Sequence, residues 1–182
     1  TRLWRMLREV AADHNQDATE VTLPDFSNLT QKSQEFLETV CGLLSQYSPE
    51  MGAMKDIPQI KISPDSVLPV CELLKDAAGV DLAMLHCLTC VDYESHVEMV
   101  YFLHSMGQEE FLVIKADVPS EALEIQSVTQ LWAAANWYER EAHDLFGVAF
   151  SGNSDLSPLL LYDEFEGHPG RKEYDFHEYQ EF

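Results

Sequence analysis

Four charged side chains and three aromatic residues are crowded into one short stretch of the sequence. They are Glu139, Arg140, Glu141 and Asp144, beside Trp137, Tyr138 and Phe146. On a helix, Arg140 and Asp144 are four residues apart and could pair, whereas Glu141 and Asp144 would repel each other. A solvated helix face tolerates such charges at little cost. A covered face would need cations or amide donors for each carboxylate, because an unpaired buried charge is expensive.

A metal site is the first chemistry to test in this stretch. Glu139 and His143 are four residues apart and could share a helix face. A di-metal site would need a second carboxylate–histidine pair on another helix, and none is found. The sequence also contains no H-E-x-x-H, G-x-G-x-x-G or G-x-S-x-G motif. A standalone metal-binding enzyme using Glu139 and His143 therefore remains a remote alternative.

The four cysteines are scattered, which fits a reducing compartment. Cys87 and Cys90 form a single C-x-x-C, but metal sites commonly need two such pairs. The pair lies in a strand-like run, where residues three apart point to opposite faces. We therefore interpret both as small core residues.

The charged stretch belongs to a predicted helix over residues 128–147. Apolar residues recur at helical spacing, with Ser127 as a candidate N-cap and Gly147 as a candidate stop. The face bearing Trp132, Ala135 and Tyr138 is expected to pack on the chain's own sheet.

The preceding residues predict that sheet. A strand over 57–62 is followed by a helix from Pro64 to about Ala78 and by strands over 82–91, 97–105 and 110–118. The order β-α-β-β-β-α indicates an α+β fold, a small mostly antiparallel sheet with helices on one face. Residues 148–150 are predicted to form a last short strand.

Three regions are predicted along the chain. Residues 1–56 form an N-terminal helical arm and linker, with a short helix at the start of residues 1–20, a polar linker over 13–28, a second helix over 30–48 and a loop over 48–56. Residues 57–150 form the α+β domain. Residues 151–182 form an extended C-terminal tail rich in aromatic side chains, which we expect to lie along a partner's surface.

Composition narrows the classes of partner. The chain has 182 residues, of which 46% are hydrophobic, enough for a substantial core. Its 32 acidic and 11 basic residues give a net charge of -21, which argues against nucleic acid and anionic lipid as partners. The same charge favours solubility or basic neighbours in an assembly. No apolar run reaches the roughly 18 residues of a membrane span.

The central stretch also carries a family resemblance. Residues 135–141 (Ala-Asn-Trp-Tyr-Glu-Arg-Glu) and 144–147 (Asp-Leu-Phe-Gly) resemble the signature of the thirty-kilodalton subunit family of respiratory complex I, the NADH:quinone oxidoreductase. That family includes counterparts in membrane-bound hydrogenases. The resemblance extends over about residues 57–174 and includes Glu-Gly-His-Pro-Gly-Arg-Lys-Glu-Tyr at 166–174. It departs at Asn153, where a His or Lys is expected, and at Ser157, where a Lys, Arg or Pro is expected.

The resemblance implies a non-catalytic structural or assembly subunit without a cofactor of its own. Such a subunit would dock on a large catalytic (forty-nine-kilodalton-like) subunit and a small iron–sulfur subunit, which would hold the iron–sulfur clusters and the quinone or NiFe site. It would lie in the peripheral arm, on the cytoplasmic or matrix-side face of an energy-transducing membrane. The equivalent subunit of a membrane-bound [NiFe] hydrogenase is an alternative.

The resemblance also implies a set of subunit-interface residues. They are Glu139, Arg140, Glu141, Asp144, His168, Pro169, Arg171 and Lys172. Because exposed ion pairs would give the isolated chain little net stability, we also expect a partner to cover part of the charged cluster and Arg140 to pair with a carboxylate.

Overall fold

A five-stranded sheet organises residues 26–175, the part of the chain that the computed structural model describes. In chain order the elements are α1 (Gln31–Leu43), β1 (Glu50–Met54), β2 (Ile57–Lys61), α2 (Val67–Asp76), β3 (Met84–Asp92), β4 (His96–Ser105), β5 (Glu110–Pro119), β6 (Glu124–Gln126), α3 (Ala135–Phe146) and β7 (Ala149–Ser151). The short helix predicted at the start of residues 1–20 and the part of the predicted tail after Asp175 lie outside the described residues.

The sheet has the strand order β1-β2-β5-β4-β3. Only the β2–β5 pairing is parallel, and the other three are antiparallel. The short strands β6 and β7 pair separately in parallel. The predicted α+β class with a mostly antiparallel sheet is confirmed. From residue 57 the elements follow the predicted order β-α-β-β-β-α, except that the short strand β6 precedes α3.

Burial differs between the two faces of the sheet. Tyr101 lies opposite Leu88 on one side and Ile114 on the other, and all three belong to the core cluster with side chains from α1, α2 and α3. One residue further along β3 the side chains point the other way, and Thr89 and Val91 are exposed. This period-of-two alternation places all three helices on one face, as predicted.

The region before residue 57 differs from its predicted loop and linker. Residues 50–54 form β1, which is antiparallel to β2 across a tight turn at Lys55 and Asp56. Lys55 takes the left-handed φ of 57° that such a turn requires. Gly52 presents no side chain, so the alternating pattern that would have revealed β1 is weak. The predicted domain boundary at residue 56 therefore falls within the β1–β2 hairpin.

Helix α1 begins as predicted and ends earlier. Thr30 Oγ1 accepts a hydrogen bond of 3.1 Å from the Ser33 backbone N–H, so Thr30 is the N-cap. The helix ends at Leu43, and a short 3-10 turn follows. Phe36 and Val40 enter the same core as the sheet. Within residues 26–175, no helix is both long and apolar enough to cross a membrane.

Candidate functional site

Helix α3 carries the charged cluster and ends where the sequence indicated. Gly147 adopts φ 77° and its N–H bonds to the His143 carbonyl, which closes the last turn. A Cβ at this position would lie 2.7 Å from the His168 ring. Glycine is thus required both by the backbone conformation and by the close approach of the C-terminal tail.

The predicted start of this helix is wrong. Residues 128–134 form successive turns, and α3 begins only at Ala135. Ser127 does not cap the helix, because its hydroxyl donates to the Glu139 carboxylate at 2.8 Å. The chain before α3 therefore folds across the helix instead of extending it.

The apolar face of α3 packs on the sheet as predicted. Ala135 is fully buried, and Trp132 is 6% exposed. The Trp132 indole N–H donates to the Ala83 carbonyl at 3.0 Å, and the Tyr138 hydroxyl donates to the His86 carbonyl at 2.9 Å. The Tyr138 contact fixes the helix against the edge strand β3, and the Trp132 contact fixes the turns before the helix to the residue that precedes β3.

Glu139 lies inside the chain with no exposed surface. Its carboxylate accepts hydrogen bonds from the Ser127 hydroxyl, the Val128 N–H and the Asn153 amide, at 2.8, 2.8 and 2.9 Å. All three donors are neutral. Burial raises the pKa of Glu139 above its ordinary value, although the three hydrogen bonds act to lower it. Glu139, predicted to lie at a subunit interface, is thus already covered by its own chain.

The two positions that depart from the family signature both contact charged residues of α3. Asn153 donates to Glu139, and its side-chain oxygen accepts the Asp155 N–H at 3.0 Å. The Ser157 carbonyl accepts from Arg140 at 2.9 Å. A neutral amide at 153 satisfies the Glu139 carboxylate without neutralising its charge.

Asp144 holds the backbone of the tail. Its Oδ2 accepts the N–H groups of three consecutive residues, 159–161, at 3.0, 2.8 and 3.0 Å. Burial acts to raise the pKa of Asp144, but these hydrogen bonds outweigh it and hold the pKa below 3.8. We call residues 155–162 the tail loop. Asp144 does not pair with Arg140, because the carboxylate is occupied by this loop.

Arg140 contacts the same loop. Its Nε donates to the Ser157 carbonyl and its Nη2 to the Pro158 carbonyl, at 2.9 and 2.8 Å. The guanidinium also lies over the Trp137 ring, 5.9 Å from its centre. The carboxylate expected to pair with Arg140 is replaced within this chain by two backbone carbonyls. Glu141 is exposed.

The Gly-His-Pro-Gly-Arg-Lys segment is fixed to the chain itself. The His168 Nδ1 donates to the Asp144 backbone carbonyl at 3.0 Å, and Pro169 beside it is partly buried. Arg171 Nε lies 3.2 Å from Asp92 Oδ2, and the Lys172 backbone N–H donates to the same oxygen at 2.8 Å.

The Arg171–Asp92 pair is well buried. The two side chains are 9% and 3% exposed. Burial acts to raise the pKa of Asp92, but the hydrogen bonds from Lys172 and Glu94 and the nearby Arg171 hold it below its ordinary value. The Arg171 side chain therefore faces inward, toward the end of β3.

The residues considered for metal binding are committed to other contacts. The Glu139 carboxylate has its three donors, and His143 Nδ1 donates to the Val148 carbonyl at 2.9 Å. Between residues 26 and 175, no group of three His, Cys, Asp or Glu side chains is placed to hold a metal ion.

The cysteine pair is split across the sheet. Cys87 lies opposite Phe102 and Cys90 opposite Met99, three residues apart on β4, so the two thiols point to opposite faces as predicted. Burial raises the pKa of the Cys90 thiol to about 12. All four cysteines are free thiols.

Sequence reasoning misses the contacts that complete these sites. Helical spacing favours Ser127 as a cap, Asn153 stands out only as a departure from the family signature, and Asp92 receives no role. The Asp92 side chain also accepts the Glu94 N–H at 2.9 Å, a local turn that the Asp at a strand end could have suggested. Its partners 79 and 80 residues later leave no local signal.

The sequence matches a family model. The model is described as "Respiratory-chain NADH dehydrogenase, 30 Kd subunit" and covers residues 60–180. The mitochondrial NADH-ubiquinone oxidoreductase 30.4 kDa subunit of Neurospora crassa is 36% identical over 143 residues, which are 77% of this chain and 50% of that subunit. An NADH-quinone oxidoreductase subunit of Moorella thermoacetica is 40% identical over 121 residues, 65% of this chain and 80% of that protein.

Two solved structures share the fold. The structure of the membrane-bound sulfane sulfur reductase, an archaeal respiratory membrane complex, contains a chain with a TM-score of 0.69 and 24% identity, covering 80% of this chain and 86% of that one. A trypsin-resistant fragment of Nqo5 has a TM-score of 0.57 and 24% identity, covering 66% of this chain and 99% of the fragment.

The matched region contains the whole of the site. Residues 60–180 include Glu139, Asp144 and every group that donates to either carboxylate. The chain belongs to the family of the 30 kDa subunit of respiratory-chain NADH dehydrogenase.

Proposed function

We propose that this chain is a structural and assembly subunit of a membrane-associated electron-transfer complex of the NADH:quinone oxidoreductase type. Relatives at 36% and 40% identity are named as subunits of such oxidoreductases. The chain spans half of the Neurospora subunit, so the proposal concerns the role of this domain. It docks on a large catalytic subunit and a small iron–sulfur subunit, in a peripheral arm on the cytoplasmic or matrix side of the membrane.

The observation that carries this proposal is that the charged side chains of α3 hydrogen-bond to other segments of the chain. Asp144 and Arg140 both bind backbone groups of the tail loop, at 2.8 to 3.0 Å. Glu139 binds backbone and side-chain donors of the segments before and after the helix. These groups fix the shape of a surface, which is the work of a docking subunit. The iron–sulfur clusters and the quinone site belong, in this proposal, to the partner subunits.

Affinity purification of the tagged full chain from its native membranes in mild detergent tests the proposal. We expect a large catalytic subunit and a small iron–sulfur subunit to co-purify in stoichiometric amounts, with iron that stays with those partners when the chain is separated. Recovery of the chain alone, with stoichiometric iron or zinc bound to it at near-neutral pH, would overturn the proposal and favour a standalone metalloprotein.

The same purification distinguishes the hydrogenase-type assembly. A large partner with paired C-x-x-C motifs near both ends would identify the complex as a hydrogenase. A large partner without them would identify the quinone-reducing type.

A further inference from the structure

We propose that Trp137, Leu160 and Tyr162 form an anchor that inserts into an apolar recess with a basic rim on a partner subunit. We call these three residues, with Arg140, the anchor surface. The inference rests on the proposed function and adds to it the place of docking and the chemistry of the partner.

Exposure singles out these side chains. Trp137 is 64% exposed, Leu160 60% and Tyr162 69%. Among the described residues, Met106 is the only other large hydrophobic side chain as exposed as these, at 64%, and it lies in the turn between β4 and β5. Aromatic residues and arginine are enriched among the side chains that dominate binding energy at interfaces.

The residues of the anchor surface are linked through α3 and through their neighbours in the chain. The Arg140 guanidinium lies over the Trp137 ring and also bonds to the Pro158 carbonyl, two residues before Leu160. Asp144 holds the N–H of Leu160 itself at 2.8 Å. The Tyr162 ring packs edge-on against Phe165, with centres 5.3 Å apart. Helix α3 therefore carries Trp137 itself and holds, through Arg140 and Asp144, the loop that bears Leu160 and Tyr162.

The backbone beneath the anchor surface is ordered before any partner binds. Three consecutive N–H groups are held by one carboxylate, and two carbonyls are held by one guanidinium. Binding through a pre-ordered loop avoids the entropy cost of fixing it at the moment of association. These five hydrogen bonds hold the loop in one conformation while its apolar side chains remain exposed to solvent. A docking role explains this arrangement.

Charge identifies the chemistry of the partner. Residues 151–170 contain Asp155, Asp163, Glu164 and Glu166 and no Lys or Arg. Arg140 of α3 is engaged by backbone carbonyls of the tail loop. Of the two cations that follow this stretch, Arg171 pairs with Asp92 and Lys172 lies over the Tyr93 ring. Two copies of a chain with net charge -21 would repel each other along this acidic rim, which disfavours self-association. A partner with basic side chains around an apolar recess is attracted by the same field.

Three variants of the full chain test the inference in the affinity purification described above. We expect Leu160→Glu to weaken retention of the partner subunits at least about tenfold, and Trp137→Ala to weaken it to a similar degree. Met106→Glu is the matched control, because it changes an equally exposed apolar side chain away from the anchor surface, and it should leave retention unchanged. All three variants should unfold at the wild-type temperature, since the changed side chains are mostly exposed.

Each outcome decides between distinct conclusions. If the wild type captures its partners and Leu160→Glu captures them equally well, the anchor is wrong and the proposed function stands. If the wild type captures no oxidoreductase subunit, both the proposed function and the proposed anchor are refuted. If the full chain alone forms a dimer in size-exclusion chromatography that Leu160→Glu dissociates, the occupant is a second copy, and the basic partner is wrong.

A charge variant tests the basic rim separately. Neutralising Asp163, Glu164 and Glu166 together to the matching amides should weaken retention several-fold at low salt and reduce its dependence on salt concentration. Retention with an unchanged salt dependence would refute the basic rim while leaving the apolar anchor in place.

Discussion

Glu139 and Asp144 lie five residues apart on the same helix and hold two different regions of the molecule. Glu139 faces inward and binds the turns before and after α3, through Ser127, Val128 and Asn153. Asp144 lies at the helix end and binds the tail loop through three backbone N–H groups. Each carboxylate accepts three donors, yet the pKa of Glu139 is raised and that of Asp144 is lowered.

The contrast follows from the balance between burial and donors. Glu139 is fully enclosed, and only one of its three donors is a backbone N–H, so the penalty for burying its charge dominates. Asp144 is 8% exposed and all three of its donors are backbone N–H groups converging on one oxygen. The inward carboxylate therefore belongs to the internal structure of the domain, and the other shapes a surface.

The largest effect is expected from Glu139→Ala. The change leaves three donors without an acceptor in a buried site, which we expect to lower the free energy of unfolding by about 3 kcal/mol. Denaturant unfolding of the full chain measures this loss. Glu141→Ala, on the exposed side of the same helix, is the control and should change stability by less than about 0.5 kcal/mol. Equal effects for the two variants would refute the internal role of Glu139.

A smaller and more local effect is expected from Asp144→Ala. Three N–H groups of the tail loop lose their acceptor but can reach water, so the free energy of unfolding should fall by only about 1–2 kcal/mol. Hydrogen exchange should accelerate at residues 159–161 while the Val128 amide keeps its wild-type rate. Faster exchange at residues 159–161 and at the Val128 amide would show that the two regions unfold together. That result would contradict the claim that Glu139 and Asp144 hold separate regions.

The two carboxylates should respond to pH with opposite signs. The raised pKa of Glu139 gives a contribution to stability that is complete below its ordinary 4.5 and is lost as pH rises through the folded-state pKa. The lowered pKa of Asp144 gives a contribution that is present above its ordinary 3.8 and is lost as pH falls through the folded-state pKa.

Unfolding curves measured between about pH 3 and pH 8 separate the contributions of Glu139 and Asp144 to the free energy of unfolding. The stability of the wild type minus that of Glu139→Gln should decrease from acidic to neutral pH, whereas the difference from Asp144→Asn should increase. A difference from Glu139→Gln that does not vary with pH would contradict the raised pKa.

The smallest effect on stability is expected from Arg140→Ala. Arg140 is only partly buried and holds two carbonyls of an exposed loop, so thermal unfolding of the full chain should reveal a loss below about 1 kcal/mol. Retention of partner subunits should nevertheless weaken, because Arg140 supports Trp137 and Pro158. If this variant unfolds the chain, Arg140 belongs to the internal structure of the domain, and its assignment to the docking surface is wrong.

Local patterns predict the sheet well and the contacts of α3 poorly. Strands β4 and β5 are long runs rich in apolar residues separated by a short polar turn, and their predicted bounds differ from the observed ones by one residue at one end of each. The role of Gly147 as a helix stop can be predicted because a glycine that directly follows a helical apolar pattern is a local signal of a helix end. Strand β1 is missed because Gly52 interrupts the alternation.

The partners of Glu139 and Asp144 could not be predicted in the same way. Val128 is 11 positions before Glu139, and residues 159–161 are 15 to 17 positions after Asp144, so neither contact follows a helical or strand period. Helix spacing instead favours an Arg140–Asp144 pair. The backbone donors prevail because three of them converge on one oxygen, which a single exposed ion pair does not match.

Hydrogen exchange of the full chain, alone and in its purified complex, tests the central claim most directly. If α3 separates an internal network from a docking surface, assembly should slow exchange in the tail loop and around Trp137 and leave the Val128 amide unchanged. Unchanged exchange at residues 155–162 in the complex, with new protection elsewhere, would contradict the account.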